Sequence, residues 1–164
     1  MTRQHSTYAV ILLGAILWCS AILLAPALAG STRLSSLLYE FFQPICHQSD
    51  ARSFHLAGHP LAVCMRCSAI YFAFLCGVIL YPVLRRISRP AVHRPHWLLF
   101  AALPMLLDVA AGFVGLHDIT PVTLALSGSL FGLIVPFYIL PAACEAVASI
   151  PERSIAVPST RKEL

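Results

Sequence analysis

The sequence predicts an all-α fold: an integral membrane four-helix bundle with a short amphipathic helix and a cysteine-rich loop on its outer face. The chain of 164 residues is 59% hydrophobic and only 11% charged, and its mean hydropathy is +0.81. A soluble domain carries roughly twice that charged fraction. The apolar residues also fall into long blocks, which is the pattern of membrane helices.

Four blocks are long enough to cross the hydrocarbon core, which requires about 20 apolar residues. Their approximate bounds are 8–28, 61–84, 97–116 and 122–143. Each block contains Gly or Pro, which neighbouring helices in a bundle can tolerate. We therefore expect one membrane domain over residues 1–150, followed by a polar cytoplasmic tail over 151–164.

The first span has a second interpretation, as a signal peptide. Arg3 precedes an apolar core, and Ala27-Leu28-Ala29 resembles a small-residue cleavage site. The apolar stretch from Tyr8 to Leu24 is longer than the usual core of a signal peptide, which favours an uncleaved span. In both cases the loop that begins at Gly30 faces outward.

Arginine placement predicts the orientation, because basic residues collect in cytoplasmic loops. The link between the second and third spans holds the densest basic cluster, which consists of Arg85, Arg86, Arg89 and Arg94. We therefore place this link and both termini in the cytoplasm. The loop over residues 30–60 and the short turn around His117 and Asp118 are then outside. The formal net charge of +4 is too small to indicate nucleic-acid binding.

The outer loop is expected to begin with a short amphipathic helix, which either lies in the membrane interface or caps the bundle. Apolar side chains recur there at helical spacing between polar ones, and Pro44 ends the pattern. The apolar members are Leu34, Leu37, Leu38, Phe41 and Phe42.

Small residues on two of the spans predict close helix packing, since they let backbones approach each other. The fourth span carries Gly128 and Gly132, and the second carries Ala69, Ala73 and Gly77. We assign these residues to packing alone.

The cysteine motif carries the chemistry of the chain. Cys46-His47-Gln48 is followed by a polar turn and then by Cys64-Met65-Arg66-Cys67 at the start of the second span. Because Cys64 and Cys67 are one helical turn apart, they share a face of the helix. A third Cys and a His complete the ligand set of a tetrahedral site for zinc or another thiophilic ion. The candidate ligands are Cys46, His47, Cys64 and Cys67.

Two other interpretations of these thiols stay open. In one, Cys64 and Cys67 are redox-active, and Arg66 between them favours the thiolate unless its side chain extends to the lipid headgroups instead. In the other, Cys46 forms a structural disulfide with Cys64 or Cys67 in an oxidising compartment. The protein would then be a small scaffold subunit of a membrane complex. The remaining cysteines, which we interpret as buried apolar residues, are Cys19, Cys76 and Cys144.

Asp108 is the second candidate of interest, because an ionisable group inside a span is costly and is functional by default. At about 1.5 Å per residue it lies roughly 12 Å below the outer end of its span, and Cys67 lies roughly 9 Å below the outer end of the second span. The similar depths predict that Asp108 faces the second span, where it either supports His47 or Arg66 or binds the metal directly. The alternative is a hydrogen bond that only joins two helices.

At these residues the chain resembles the domain-of-unknown-function 2085 family of small prokaryotic membrane proteins. The resemblance rests on Cys46-His47-Gln48, on Arg52-Ser53-Phe54 and on Val63-Cys64-x-Arg66-Cys67-x-x-Ile70-Tyr71, and continues more weakly through Asp108 to Gly132. It implies a multi-pass protein of the prokaryotic cytoplasmic (inner) membrane with a cysteine-rich outer motif. It brings no established activity with it.

The layout is also similar to that of DsbB-type proteins, which have four spans, inside termini and a Cys-x-x-Cys near the second span. This similarity implies a membrane thiol–disulfide oxidoreductase coupled to quinone, with Cys64, Cys67 and Arg66 at the reacting centre. Such proteins need a second cysteine pair in the other outer loop, and the turn from Leu116 to Thr123 contains no cysteine. We therefore rank metal binding first and the quinone-linked enzyme second.

Overall fold

The computed structural model describes residues 3–30, 32–85, 96–115 and 120–149. These residues are mostly helical, and the elements in chain order are α1 (Arg3–Ala27), α2 (Thr32–Phe42), a 3-10 turn (Asp50–Arg52), β1 (His55–Leu56), β2 (His59–Pro60), α3 (Met65–Leu84), α4 (His96–Phe113), α5 (Pro121–Ile134) and α6 (Pro136–Ala148). The fold is the all-α membrane bundle that the hydropathy predicts. Three features discussed above lie outside the described residues: most of the arginine cluster (Arg86, Arg89 and Arg94), the turn at His117 and Asp118, and the tail over 151–164.

Four lengths of helix form the bundle: α1, α3, α4, and α5 continued by α6. By length and composition, α1, α3 and the joined Pro121–Ala148 segment are each able to cross a membrane, whereas the apolar stretch Leu98–Phe113 of α4 is shorter. Pro136 lacks a backbone N–H and so interrupts the hydrogen-bond ladder between α5 and α6. Val135 keeps helical backbone angles (φ −52°, ψ −41°), so the chain direction continues.

The helical part of the second span begins at Met65. Leu61, Ala62 and Val63 before it are non-helical but buried, and they pack against Ile22 of α1 in the main apolar cluster. A tight hairpin of β1 and β2 directly precedes this segment in the chain.

The most extensive helix pair among the described residues is that of α3 and α5, and the two backbones come together at glycine. A Cβ on Gly128 would lie 2.7 Å from the Arg66 carbonyl oxygen, and one on Gly132 would overlap the Ile70 carbonyl. On α3, a Cβ at Gly77 would lie 2.6 Å from the Leu133 carbonyl oxygen. These contacts confirm the packing role that the small residues predict.

Helix α2 covers the end of the bundle that carries the cysteines, which we call the loop end. Ser35 donates a hydrogen bond to the Ala25 carbonyl (2.8 Å), and the buried Phe42 meets the Trp18 ring edge-on at 5.2 Å between ring centroids. An adjacent side of α2 presents an exposed apolar stripe, which an interfacial helix buries in lipid. Its members are Leu34, Leu37 and Phe41.

Candidate metal centre

Three cysteines from two separate segments meet at the loop end. The Sγ atoms of Cys46, Cys64 and Cys67 all lie within 4.8 Å of one another, and each residue is a free thiol. Cys46 is buried, with 5% of its surface exposed, whereas Cys64 and Cys67 are half-buried. The cluster is therefore closed by protein on the Cys46 side and accessible on the other.

A tight turn after α2 places Cys46 in this cluster. The Cys46 N–H donates to the Phe42 carbonyl (3.0 Å), and the Ile45 N–H donates to the same oxygen (3.1 Å). Pro44 lies inside the turn and prevents α2 from continuing. Cys46 then packs with Phe42 and Val63 in the apolar cluster, which holds its sulfur beside the start of α3.

Gln48 fixes the same turn from its other side. Its side-chain amide donates to the carbonyls of Tyr39 (2.7 Å) and Ala62 (2.8 Å), and its own backbone adopts a left-handed φ of 48°. The residue thereby ties α2 to the segment that precedes Cys64. Sequence reasoning assigned no role to Gln48, because both acceptors are backbone oxygens, which leave no pattern in the sequence. The one sequence feature that could have indicated a role for Gln48 is its position in the Cys-His-Gln motif.

The start of α3 holds the other two sulfurs. Cys64 is the residue before the helix (φ −65°, ψ 165°), and Cys67 follows one turn later. The Cys64 N–H donates to the Cys46 sulfur at 3.1 Å. This bond holds the Cys46 sulfur against the start of α3.

His47 does not join the three cysteines. Its side chain is exposed, and the His/Cys/Asp/Glu group found among the described residues contains Cys46, Cys64 and Cys67 without an imidazole. The reason is the backbone: once the turn directs Cys46 inward, its neighbour is directed outward. The structure therefore provides three thiols, and not the three thiols plus an imidazole that the motif predicts. His55 and His59 are also exposed, and His55 pairs with Asp50 at 3.0 Å.

Asp108 contacts the residue that lies between the two cysteines of α3. Its carboxylate accepts a hydrogen bond from the Arg66 guanidinium, and the two side chains are 8% and 17% exposed. The contact with the second span that the depth estimate predicts is therefore present, and Arg66 is directed toward α4 rather than toward the lipid headgroups. Asp108 is not a member of the cysteine group, so its predicted role as a direct ligand is not supported.

The other three cysteines lie elsewhere in the bundle. Cys19 and Cys144 are buried, as predicted, but Cys76 is exposed, and its predicted burial is wrong. Cys76 lies about half a helical rotation from Cys67, which turns it away from the packed face of α3.

These features define a class: an integral membrane protein with a helical bundle and a cysteine cluster at one end of it. The comparison with known families agrees, since the model described as "Predicted membrane protein (DUF2085)" matches residues 46–138. The chain belongs to this family. The match begins at Cys46 and so includes all three cysteines together with Arg66 and Asp108.

A relative in Methanocaldococcus jannaschii, named as an uncharacterized protein, is 34% identical over 141 residues, which covers 82% of this chain and 90% of the relative. No solved structure matches the chain.

Proposed function

We propose that the protein binds a thiophilic metal ion, zinc first among them, through Cys46, Cys64 and Cys67. The observation that carries the proposal is the convergence of these sulfurs within 4.8 Å. With Zn–S bonds of about 2.3 Å, sulfurs on one tetrahedral ion lie about 3.8 Å apart. A small inward movement of the side chains is enough to reach that distance.

Charge supports a cation at this position. A buried thiolate is costly unless a positive charge balances it. Arg66 is the nearest cation in sequence, but Asp108 already pairs with its guanidinium. A divalent ion between the sulfurs supplies the missing positive charge. In this proposal the Arg66–Asp108 pair supports the centre indirectly, because it holds the first turn of α3 and with it Cys64 and Cys67.

The cluster faces the outer side of the membrane in this proposal, and both termini are cytoplasmic. The support comes from the arginine-rich link at the other end of α3, since that link belongs in the cytoplasm. The cysteine cluster is then on the outer side, because α3 crosses the membrane between the link and the cluster.

A membrane thiol–disulfide oxidoreductase coupled to quinone is the second candidate function, and an apolar groove favours it. The groove has a volume of about 500 Å³ and lies between α1, α3 and the α5–α6 segment. Its wall includes Tyr71, which also packs against the apolar cluster that contains Cys46. A quinone in the groove would take two electrons and two protons from the thiols of Cys64 and Cys67, which leaves a disulfide and a quinol. This scheme gives Cys46 no role, and we therefore place it second.

Metal analysis of purified, reduced protein separates these functions. We expect about one thiophilic ion per chain, as for a single zinc site. Cys46→Ser, Cys64→Ser and Cys67→Ser should each lose the ion, because each removes one of the donors. The matched controls Cys76→Ser and Cys144→Ser should retain it.

Three results would contradict metal binding, and each has a different meaning. If the protein is metal-free and all its cysteines are freely alkylated, the cluster binds no ion. Metal-free protein that loses two thiols when a soluble quinone is added, and forms quinol, supports the enzyme. Metal-free protein that is prepared without reductant, and in which Cys46 becomes alkylatable only after reduction, has a structural disulfide.

A further inference from the structure

The donor set at the loop end is one ligand short of a closed site. Structural zinc sites have four protein ligands, and sites with three keep the fourth position for an external donor. Among residues 3–30, 32–85, 96–115 and 120–149, the group comprises three sulfurs, and no His, Asp or Glu atom belongs to it.

His47 is the nearest imidazole in sequence, and the turn holds it outside. Gln48 anchors this turn with two hydrogen bonds, of 2.7 and 2.8 Å, to carbonyls on different segments. To bring His47 inward, the backbone would have to rotate and withdraw Cys46 from the cluster. The same structure that positions one ligand therefore excludes its neighbour.

Two carboxylates of the described residues also have other partners. Asp108 accepts a hydrogen bond from Arg66, and Asp50 pairs with His55 on the surface. Glu40 is exposed on α2 and does not belong to the group. An ion held by the three sulfurs would meet its fourth donor on the side of the half-buried Cys64 and Cys67.

We propose that this fourth position accepts a thiolate from another molecule, so that the centre binds an external thiol and does not merely stabilise the loop. The inference rests on the metal-binding function proposed above. Three sulfur donors select a soft ion, and such an ion prefers sulfur to water. When the external thiol binds, its S–H bond breaks, its proton passes to solvent, and a sulfur–metal bond replaces the bond to the weaker donor.

Cobalt(II) absorption tests the proposal without any assay of activity. Protein loaded with cobalt in the absence of free thiol should show sulfur-to-cobalt charge-transfer absorption. Addition of 2-mercaptoethanol should shift the ligand-field bands and raise the charge-transfer intensity by about one third, the ratio expected when four sulfur ligands replace three. Ethylene glycol, which has the same shape without sulfur, should change neither.

Further arms distinguish the source of the thiol and the role of His47. A Gly-Cys-Gly peptide that reproduces the change, with Gly-Ser-Gly as its control, extends the site to peptide cysteines; a response to 2-mercaptoethanol alone limits it to small thiols. His47→Ala should respond to thiol as the wild type does. If neither 2-mercaptoethanol nor the Gly-Cys-Gly peptide changes the cobalt spectrum, the inference is wrong. If the His47→Ala substitution does change that spectrum, His47 is the fourth ligand. Absence of charge-transfer absorption instead contradicts the proposed metal site itself.

Discussion

Replacing Asp108 with leucine is expected to destabilise the folded protein by about 3–5 kcal/mol, the usual cost of leaving one member of a buried ion pair without its partner. The Arg66 guanidinium, with its side chain only 17% exposed, would lose its carboxylate. Because the pair joins α3 to α4, the loss also loosens α4 on the bundle. The free energy of unfolding, measured by reversible denaturation in mixed micelles, reports the change.

Two further variants show whether the charge itself is responsible. Asp108→Asn retains a hydrogen-bond acceptor for Arg66 and should lose less stability than Asp108→Leu. The double variant Arg66→Met/Asp108→Leu removes both charges and should recover most of the loss, since apolar pairs often replace buried ion pairs at little cost. If Asp108→Leu alone costs less than about 1 kcal/mol, the pair behaves as a solvent-screened surface bridge and our description of it is wrong.

Gly132→Ala is the second substitution with a large expected effect. The added methyl group would overlap the Ile70 carbonyl oxygen and lie 2.9 Å from the Ile70 Cα, so it meets backbone that has no rotamer to change. We therefore expect α3 and α5 to separate. Overpacking a core typically costs about 1–3 kcal/mol of folding stability, and we expect Gly132→Ala to cost about 3 kcal/mol or more. The measurement is again the free energy of unfolding.

Gly14→Ala on α1 is the matched control for that substitution. A Cβ at Gly14 would meet nothing within 4 Å, so the same chemical change occurs without a clash. The higher helix propensity of alanine should leave Gly14→Ala neutral or more stable by up to about 1 kcal/mol. Equal stability of the two variants would mean that α3 and α5 do not pack at Gly132.

The fold could be predicted from the sequence because its signals are local. Long apolar blocks identify membrane helices, and Gly128 and Gly132 lie four residues apart on one helix face, which is enough to mark a close contact. The contact of Asp108 with Arg66 was predictable for a related reason. A constant rise per residue gives the depth of each group in its span, and a buried carboxylate needs a partner.

The details of the cysteine centre could not be predicted, because non-local hydrogen bonds determine them. The motif predicts that His47 is a ligand, since adjacent Cys and His residues are both good donors. Which of the two faces the cluster depends on Gln48 and on carbonyls of Tyr39 and Ala62 on either side of it in the chain. Composition and spacing carry no information about those bonds. Cys76 was misplaced for a simpler reason, since an apolar run does not indicate which face of α3 is packed.

X-ray absorption at the metal edge shows directly whether Cys46, Cys64 and Cys67 bind one thiophilic ion. For purified protein with zinc bound, prepared without external thiol, we expect three sulfur neighbours at about 2.3 Å and a lighter donor that completes the shell. Loss of that sulfur shell in Cys67→Ser, with Cys76→Ser unchanged, would assign it to the cluster. Protein that retains no metal, or a metal surrounded by oxygen and nitrogen alone, would contradict metal binding by the three cysteines.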